Sequence, residues 1–239
     1  LGVADGIALA HKLRNEKRVT AVFTGEGATS EGDFHEALNV AAVWELPVLF
    51  CIENNGYGLS TPTNEQFRCE NLADKGIGYG MESHIIDGNN ILEVFTKVSE
   101  LVEDMRINPR PVLLEFKTFR MRGHEEASGT KYVPQELLDT WAEKDPLENF
   151  TSFLKKEKIL TDDIIDGIRT EIQAEIDEHL KRAYSEESIT PNESKELSEV
   201  YQKFDFKDST PSIHTKNIRL IDAISDGLRA SMKKFDNLV

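Results

Sequence analysis

Two short apolar runs constrain this chain more than any other feature. Val19 to Phe23 ends in Thr24-Gly25, and Val48 to Ile52 ends in Glu53-Asn54-Asn55. Both are bounded by turn residues and lack a strict polar alternation, so they read as buried parallel strands. Between them, Phe34 to Trp44 reads as a helix, with Asp33 as its cap and Pro47 just beyond its end. The β-α-β order predicts a parallel sheet with a right-handed crossover. The carboxyl ends of the two strands then share one edge, the crevice where open α/β sheets bind ligands. The segments T-G-E-G-A-T-S-E-G-D (Thr24 to Asp33) and E-N-N-G-Y-G-L-S-T-P-T (Glu53 to Thr63) fall at that edge.

The rest of the chain extends the same plan. Gly2 to Arg14 carries Val3, Ile7, Ala10 and Leu13 at helical spacing. Asn64 to Tyr79 predicts a loop with a short helix, and Ser83 to Ile86 a strand ending at Asp87-Gly88. Ile91 to Met105 places Ile91, Val94, Phe95, Val98, Leu101, Val102 and Met105 on one helical face. Pro111 to Phe119 is a further strand, followed by a charged, glycine-containing loop from Met121 to Val133. Beyond Pro134 the chain turns helical and acidic. Thr161 caps a run with Ile164, Ile165, Ile168, Ile172, Ile176 and Leu180 on a shared stripe. Ser185 to Ser198 and Lys207 to His214 read as linkers, and Ile218 to Phe235 as a last amphipathic helix. The expected class is an α/β parallel sheet flanked by helices, followed by a helical C-terminal extension.

Composition narrows the function. With 43 acidic against 28 basic residues, the net charge of -15 argues against nucleic acid, whose phosphates need a basic surface. No apolar run approaches the roughly 20 residues of a membrane span. The two cysteines, Cys51 and Cys69, do not form a disulfide framework, which suits a reducing compartment.

The chemistry lies at the opening stretch. Gly25 and Gly27 let the backbone turn tightly and offer amides to an anion near a helix start. A diphosphate there brings a divalent cation, and Mg²⁺ takes hard oxygen ligands. Glu26 supplies a carboxylate, Asn55 an amide oxygen, and the backbone near Tyr57 a carbonyl; Asn54 and Asn55 both follow the second strand toward the crevice. Phe119 to His124 (F-R-M-R-G-H) reaches the same edge from another strand, with Arg120 and Arg122 adding positive charge beside His124. The remaining histidines, His11, His35, His84, His179 and His214, read as structural or solvated.

These segments carry a resemblance. G-E-G followed by E-N-N-G resembles the motif of thiamine diphosphate enzymes. A-T-S-E-G-D, N-N-G-Y-G-L-S-T-P-T-N-E-Q-F-R, K-G-I-G-Y-G and S-E-V-Y-Q-K-F (Ser198 to Phe204) resemble the alpha subunit of branched-chain 2-oxo acid dehydrogenase. Glu26 stands where the general motif has Asp, as it does in that subgroup. The resemblance implies the thiamine diphosphate-binding fold and the cofactors thiamine diphosphate and Mg²⁺. It implies Glu26, Asn55 and the Tyr57 carbonyl as metal ligands, and Gly25, Gly27 and Ala28 at the diphosphate. Leu59 would lie near the cofactor rings, Arg120 at the diphosphate, and His124 at the diphosphate and the substrate or acyl unit. The implied activity is decarboxylation of a branched-chain 2-oxo acid such as 3-methyl-2-oxobutanoate, with acyl transfer to a lipoyl group on an acyltransferase component.

Pyruvate or acetoin stays open as the substrate, and a non-catalytic assembly module of the same fold is the alternative of another class. An unrelated nucleotide-binding protein is weakened by the lack of a G-x-x-x-x-G-K-[ST] segment. Animal members carry a phosphorylated serine after the histidine; this chain has Glu125. Asn217 to Val239 resembles the start of the family's beta subunit, implying a fused alpha-beta chain. The glutamate that activates the cofactor would then follow Val239, so these residues alone would form an incomplete site. The implied organisation is 1–145 as the diphosphate- and metal-binding region, 146–206 as the helical extension, 207–215 as a linker and 216–239 as the beta-like start. A beta subunit or domain, an oligomer, and a cytoplasmic (bacterial) or mitochondrial-matrix (eukaryotic) location follow from the same resemblance.

Overall fold

The structure is a computed structural model. It describes the whole chain except residues 126, 128, 202, 204, 206, 208, 209, 211–214 and 239. Most of the expected linker after Lys207, His214 included, therefore lies outside the described residues. Two compact units divide between Ile176 and Asp177.

The first unit holds a four-stranded sheet in the order β1-β2-β6-β5, with β1 Thr20–Gly25, β2 Val48–Asn54, β5 Glu82–Asp87 and β6 Val112–Lys117. Every neighbouring pair is parallel, as the β-α-β pattern requires. A two-stranded antiparallel hairpin, β3 Tyr57–Gly58 with β4 Thr61–Pro62, stands after β2. Helices α1 Gly2–Leu13, α2 Gly32–Val43 and α4 Ile91–Met105 flank the sheet; α3 Thr63–Gln66 is a single turn.

The strand period of two sorts side chains between two cores. Val48, Phe50 and Ile52 of β2 and Leu113 of β6 join Ala4, Ala8, Phe34 and Leu38 under α1 and α2. The alternate residues Leu49, Cys51, Val112 and Leu114 pack instead with Leu101 and Met105 of α4. β2 is buried along nearly its whole length, which is why it lacks polar alternation. The α4 stripe is narrower than its sequence pattern: Phe95 is 70% exposed, while Val94, Val98 and Val102 pack against the core.

Two expectations need correction. Glu31, not Asp33, occupies the cap position of α2 and makes no side-chain cap bond; Asp33 sits inside the first turn, where its charge faces the positive helix end. The polar stretch after Ser185 is not all linker. Glu193–Val200 forms helix α8, because Asn192 caps it by accepting from the Lys195 N–H. Helices α5 Gln135–Ala142, α6 Pro146–Lys156, α7 Asp162–Ser185 and α9 Leu220–Lys234 complete the described chain. Asp145 caps α6 through the Leu147 and Glu148 amides, and the Thr161 hydroxyl accepts from Ile164 at the start of α7. Among the described residues no helix is long and apolar enough to cross a membrane.

Candidate active site

The carboxyl ends of β1, β2 and β6 open onto one cleft of about 470 Å³. β1 delivers Gly25 and Glu26, the latter only 2% exposed. Gly27–Ser30 follows as a one-turn 3-10 helix, so the amides of Gly27 and Ala28 stand at its start, where intrahelical acceptors run out. Gly27 and Gly58 sit where the two loops approach each other, while a Cβ on Gly25 would meet nothing within 4 Å. A Cβ on Gly27 would come within 3.4 Å of the Gly58 Cα, and one on Gly58 within 2.7 Å of Gln66 Oε1. The β1 turn and the β3 hairpin thus lie in contact at Gly27, and a side chain at Gly58 would have to displace the Gln66 amide.

Glu26 and Asn55 are joined directly: the Asn55 backbone N–H donates to Glu26 Oε2 at 3.1 Å. Asn55 Oδ1 accepts from the Tyr57 N–H at 3.2 Å, folding the loop so that residues 55 to 57 follow the cleft wall. Burial pushes the Glu26 carboxyl above its ordinary value, opposed by its own backbone amide, by Asn55 and by Arg120. Glu26, Asn55 and Tyr57 line the same cleft, and a carboxylate, a side-chain amide and a backbone carbonyl are the donor types that suit a hard cation. Among the described residues no group of three or more His, Cys, Asp and Glu could hold a metal by itself. Beside Glu26, a divalent ion would need the neutral oxygens of Asn55 and of the Tyr57 backbone, with a bound oxyanion or water completing its shell. The residues fit a metal-diphosphate pair better than a metal alone.

The loop after β6 closes the other side. Arg120 donates through Nη2 to the Leu59 carbonyl and, at 3.1 Å, to the Tyr132 hydroxyl, while Nη1 lies 3.0 Å from His124 Nδ1. A guanidinium only donates, so Nδ1 accepts and the His124 proton sits on Nε2. Leu59 has a φ of +57°, a conformation that costs a branched side chain energy, and it is 60% exposed at the cleft. Arg120 holds the carbonyl of that strained residue.

Every expected site residue (Gly25, Glu26, Gly27, Ala28, Asn55, Tyr57, Leu59, Arg120 and His124) lines this one cleft. Two neighbours do not. Arg122 is not among the lining residues. Asn54 turns away, because it shares the pleat of Phe50 and Ile52; its Nδ2 donates to Glu115 Oε1 at 2.7 Å and its Oδ1 accepts from the Gly56 N–H at 3.1 Å. Glu115 has no exposed surface, accepts from the Ala73 N–H at 2.9 Å through its other oxygen, and pairs with Lys117.

Sequence reasoning passed over Glu31, Thr61 and Gln66, which also line the cleft, and Glu115 behind it. Glu31 lies inside the quoted G-A-T-S-E-G-D segment and was findable there. Three histidines are occupied by neighbours: His11 by Glu16, His84 by Glu82, and His35 by the Tyr79 hydroxyl at 2.6 Å.

Comparison with known proteins decides the family. Residues 1–192 match the model of the dehydrogenase E1 component. This chain belongs to that family. It is 37% identical over 206 residues to the alpha subunit of acetoin:2,6-dichlorophenolindophenol oxidoreductase from Bacillus subtilis, covering 85% of this chain and 60% of the relative. It is 36% identical over 201 residues to the 2-oxoisovalerate dehydrogenase alpha subunit of the same organism, covering 84% and 60%. The chain therefore spans about 60% of the length of these E1-family relatives. A solved structure titled as a putative thiamin diphosphate-dependent enzyme from Mycobacterium smegmatis aligns over 49% of this chain and 21% of that one, at 20% identity and a TM-score of 0.39.

Proposed function

We propose that this E1-family chain forms the diphosphate- and metal-holding half of the active site in a thiamine diphosphate-dependent 2-oxo acid dehydrogenase. The observation that carries the reading is the single cleft joining the Glu26 turn, the Asn55–Tyr57 loop and the Arg120–His124 loop. Glu26, Asn55 and the Tyr57 carbonyl would hold Mg²⁺. The Gly25 to Ala28 turn and Arg120 would hold the diphosphate, and Leu59 would border the rings. Thiamine diphosphate, when bound, supplies the nucleophilic carbon and the electron sink for loss of CO₂.

The chain's own groups bind and orient. Amides and guanidinium neutralise the diphosphate, and the buried Glu26 carboxylate matches the cation. His124, with its proton on Nε2, can donate to an anionic oxygen of the substrate or acyl unit. A beta subunit or domain would complete the pocket, with residues 216–239 as the beginning of such a domain in a fused chain. The acyl group would pass to a lipoyl-bearing acyltransferase component. Residues 1–145, 146–206 and 207–215 would serve as cofactor-holding region, helical extension and linker. Glu125 after His124 argues against control by phosphorylation there.

A branched-chain 2-oxo acid is the proposed substrate, supported by the 2-oxoisovalerate relative and by Glu26 in place of Asp. The acetoin relative makes acetoin the competing substrate. The test is decarboxylation of 3-methyl-2-oxobutanoate and of pyruvate, and oxidative cleavage of acetoin with a dye as electron acceptor, by the full-length protein with its beta partner, with and without thiamine diphosphate and Mg²⁺. Turnover that depends on both cofactors and favours the branched substrate is expected; equal, cofactor-independent rates would overturn the reading. Glu26→Ala should abolish the cofactor-dependent rate while the far-UV spectrum stays unchanged.

A further inference from the structure

We propose that Lys75 is a positioning residue for the cofactor turn, acting through Thr29 to aim the peptide between Glu26 and Gly27 at the cleft. This rests on the reading of the cleft as a metal-diphosphate site. Lys75 lies on an 8-residue 3-10 helix, Leu72–Tyr79, which lines no part of that cleft. Its Nζ donates to the Thr29 carbonyl at 2.8 Å and to the Thr29 hydroxyl at 2.9 Å. The hydroxyl in turn donates to the Glu26 carbonyl at 2.7 Å, which also accepts the Thr29 N–H at 3.1 Å. Thr29 is fully buried, so no water competes for these bonds.

The direction follows from peptide geometry. No cis bond occurs among the described residues, and in a trans peptide the C=O of one residue and the N–H of the next point opposite ways. Anchoring the Glu26 carbonyl to Thr29 from behind therefore sends the Gly27 N–H the other way. Because the residue that carries that carbonyl also carries the proposed metal ligand, one anchor sets both an amide donor and a carboxylate.

The cation itself is fixed in place. Nζ lies 5.5 Å from the ring centroids of both Phe34 and Phe67. Burial pushes the ammonium below its ordinary range. The same helix reaches the second ligand loop as well: the Ala73 N–H donates to Glu115, Glu115 accepts from Asn54, and Asn54 accepts from Gly56. One short helix thus ties together, from behind, the two loops that meet as Glu26 and Asn55.

The experiment compares wild type, Lys75→Met and Lys75→Arg in the full-length protein with its beta partner. Measured are the apparent dissociation constant for thiamine diphosphate at saturating Mg²⁺, kcat at saturating cofactor, and the thermal midpoint without cofactor. Methionine keeps the apolar stem and removes the donors. Cofactor affinity should fall about tenfold in Lys75→Met, kcat should recover to within about twofold at saturation, and Lys75→Arg should restore most of the affinity. A merely structural lysine would lower the midpoint and leave the dissociation constant unchanged, and that result would overturn the proposal. Should Lys75→Met fail to assemble, Thr29→Val, which removes the hydroxyl at nearly constant volume, must show the same affinity loss. If wild type binds no cofactor, the functional reading itself fails; if wild type and Lys75→Met bind equally, only the positioning role does.

Discussion

Replacing Glu115 with alanine should be among the most costly single changes in this chain. The carboxylate has no solvent exposure and receives the Asn54 Nδ2, the Ala73 N–H and the Lys117 ammonium. Truncation leaves two buried donors without acceptors, each costing about 1–3 kcal/mol, and opens a small void. It also strips Lys117, itself about one-third exposed, of its counter-charge, a lesser loss because water can reach it. The sum is roughly 4 kcal/mol, within the range of about 3–5 kcal/mol for breaking a buried charged pair. For a chain of this size that lowers the thermal midpoint by roughly 8–16 °C. Glu115→Gln keeps one acceptor oxygen and should lose about half as much. Urea unfolding followed by circular dichroism measures both, and Asn54→Ala in each background should show non-additivity of about 1 kcal/mol or more. Glu115→Ala within 1 kcal/mol of wild type, or strict additivity with Asn54→Ala, would refute the network.

Two further outcomes follow from buried titratable groups. Asp5, 6% exposed and with Oδ1 unpartnered, has its carboxyl raised from 3.8 to about 6 by burial. A raised carboxyl favours the folded state at low pH, fully below about 4, and this contribution is lost as pH rises through 6. The interval is worth roughly 3 kcal/mol at most, and about 1 kcal/mol after solvent screening in the α1–α2 groove. Asp5→Asn should therefore raise the thermal midpoint at pH 7.5 by about 2–4 °C and give no more than about a third of that gain at pH 4.5; an equal shift at both would exclude the titration. Burial also pushes the Cys51 thiol up to about 12, so at pH 8 alkylation followed by mass spectrometry should mark the half-buried Cys69 and spare Cys51 until the chain is unfolded.

The parallel sheet was legible because β2 is buried on both faces, and a continuous apolar run has few other uses. Glu26 and Asn55 were legible because strand ends converge, so residues 29 apart in sequence meet through one hydrogen bond. Lys75 and Glu115 left no comparable mark. A lysine in a polar stretch reads as solvated, and Glu115 within V-L-L-E-F-K reads as a wet position; only their partners, 46 and 61 residues away, give them meaning. The α2 start misled because Asp33 is a good capping residue two positions too late, and α8 because a capping asparagine follows a proline.

The paired asparagines are not duplicates, since the pleat sends them to opposite sides. Asn54 must donate to one carboxylate and accept from one amide, a task that needs both halves of its side chain. Asn55 uses its oxygen toward Tyr57. Exchanging amide for carboxylate, a change of one atom, thus has two different meanings at adjacent positions. At 54 it sets two buried negative groups against each other; at 55 it leaves the turn intact and adds charge at the cleft.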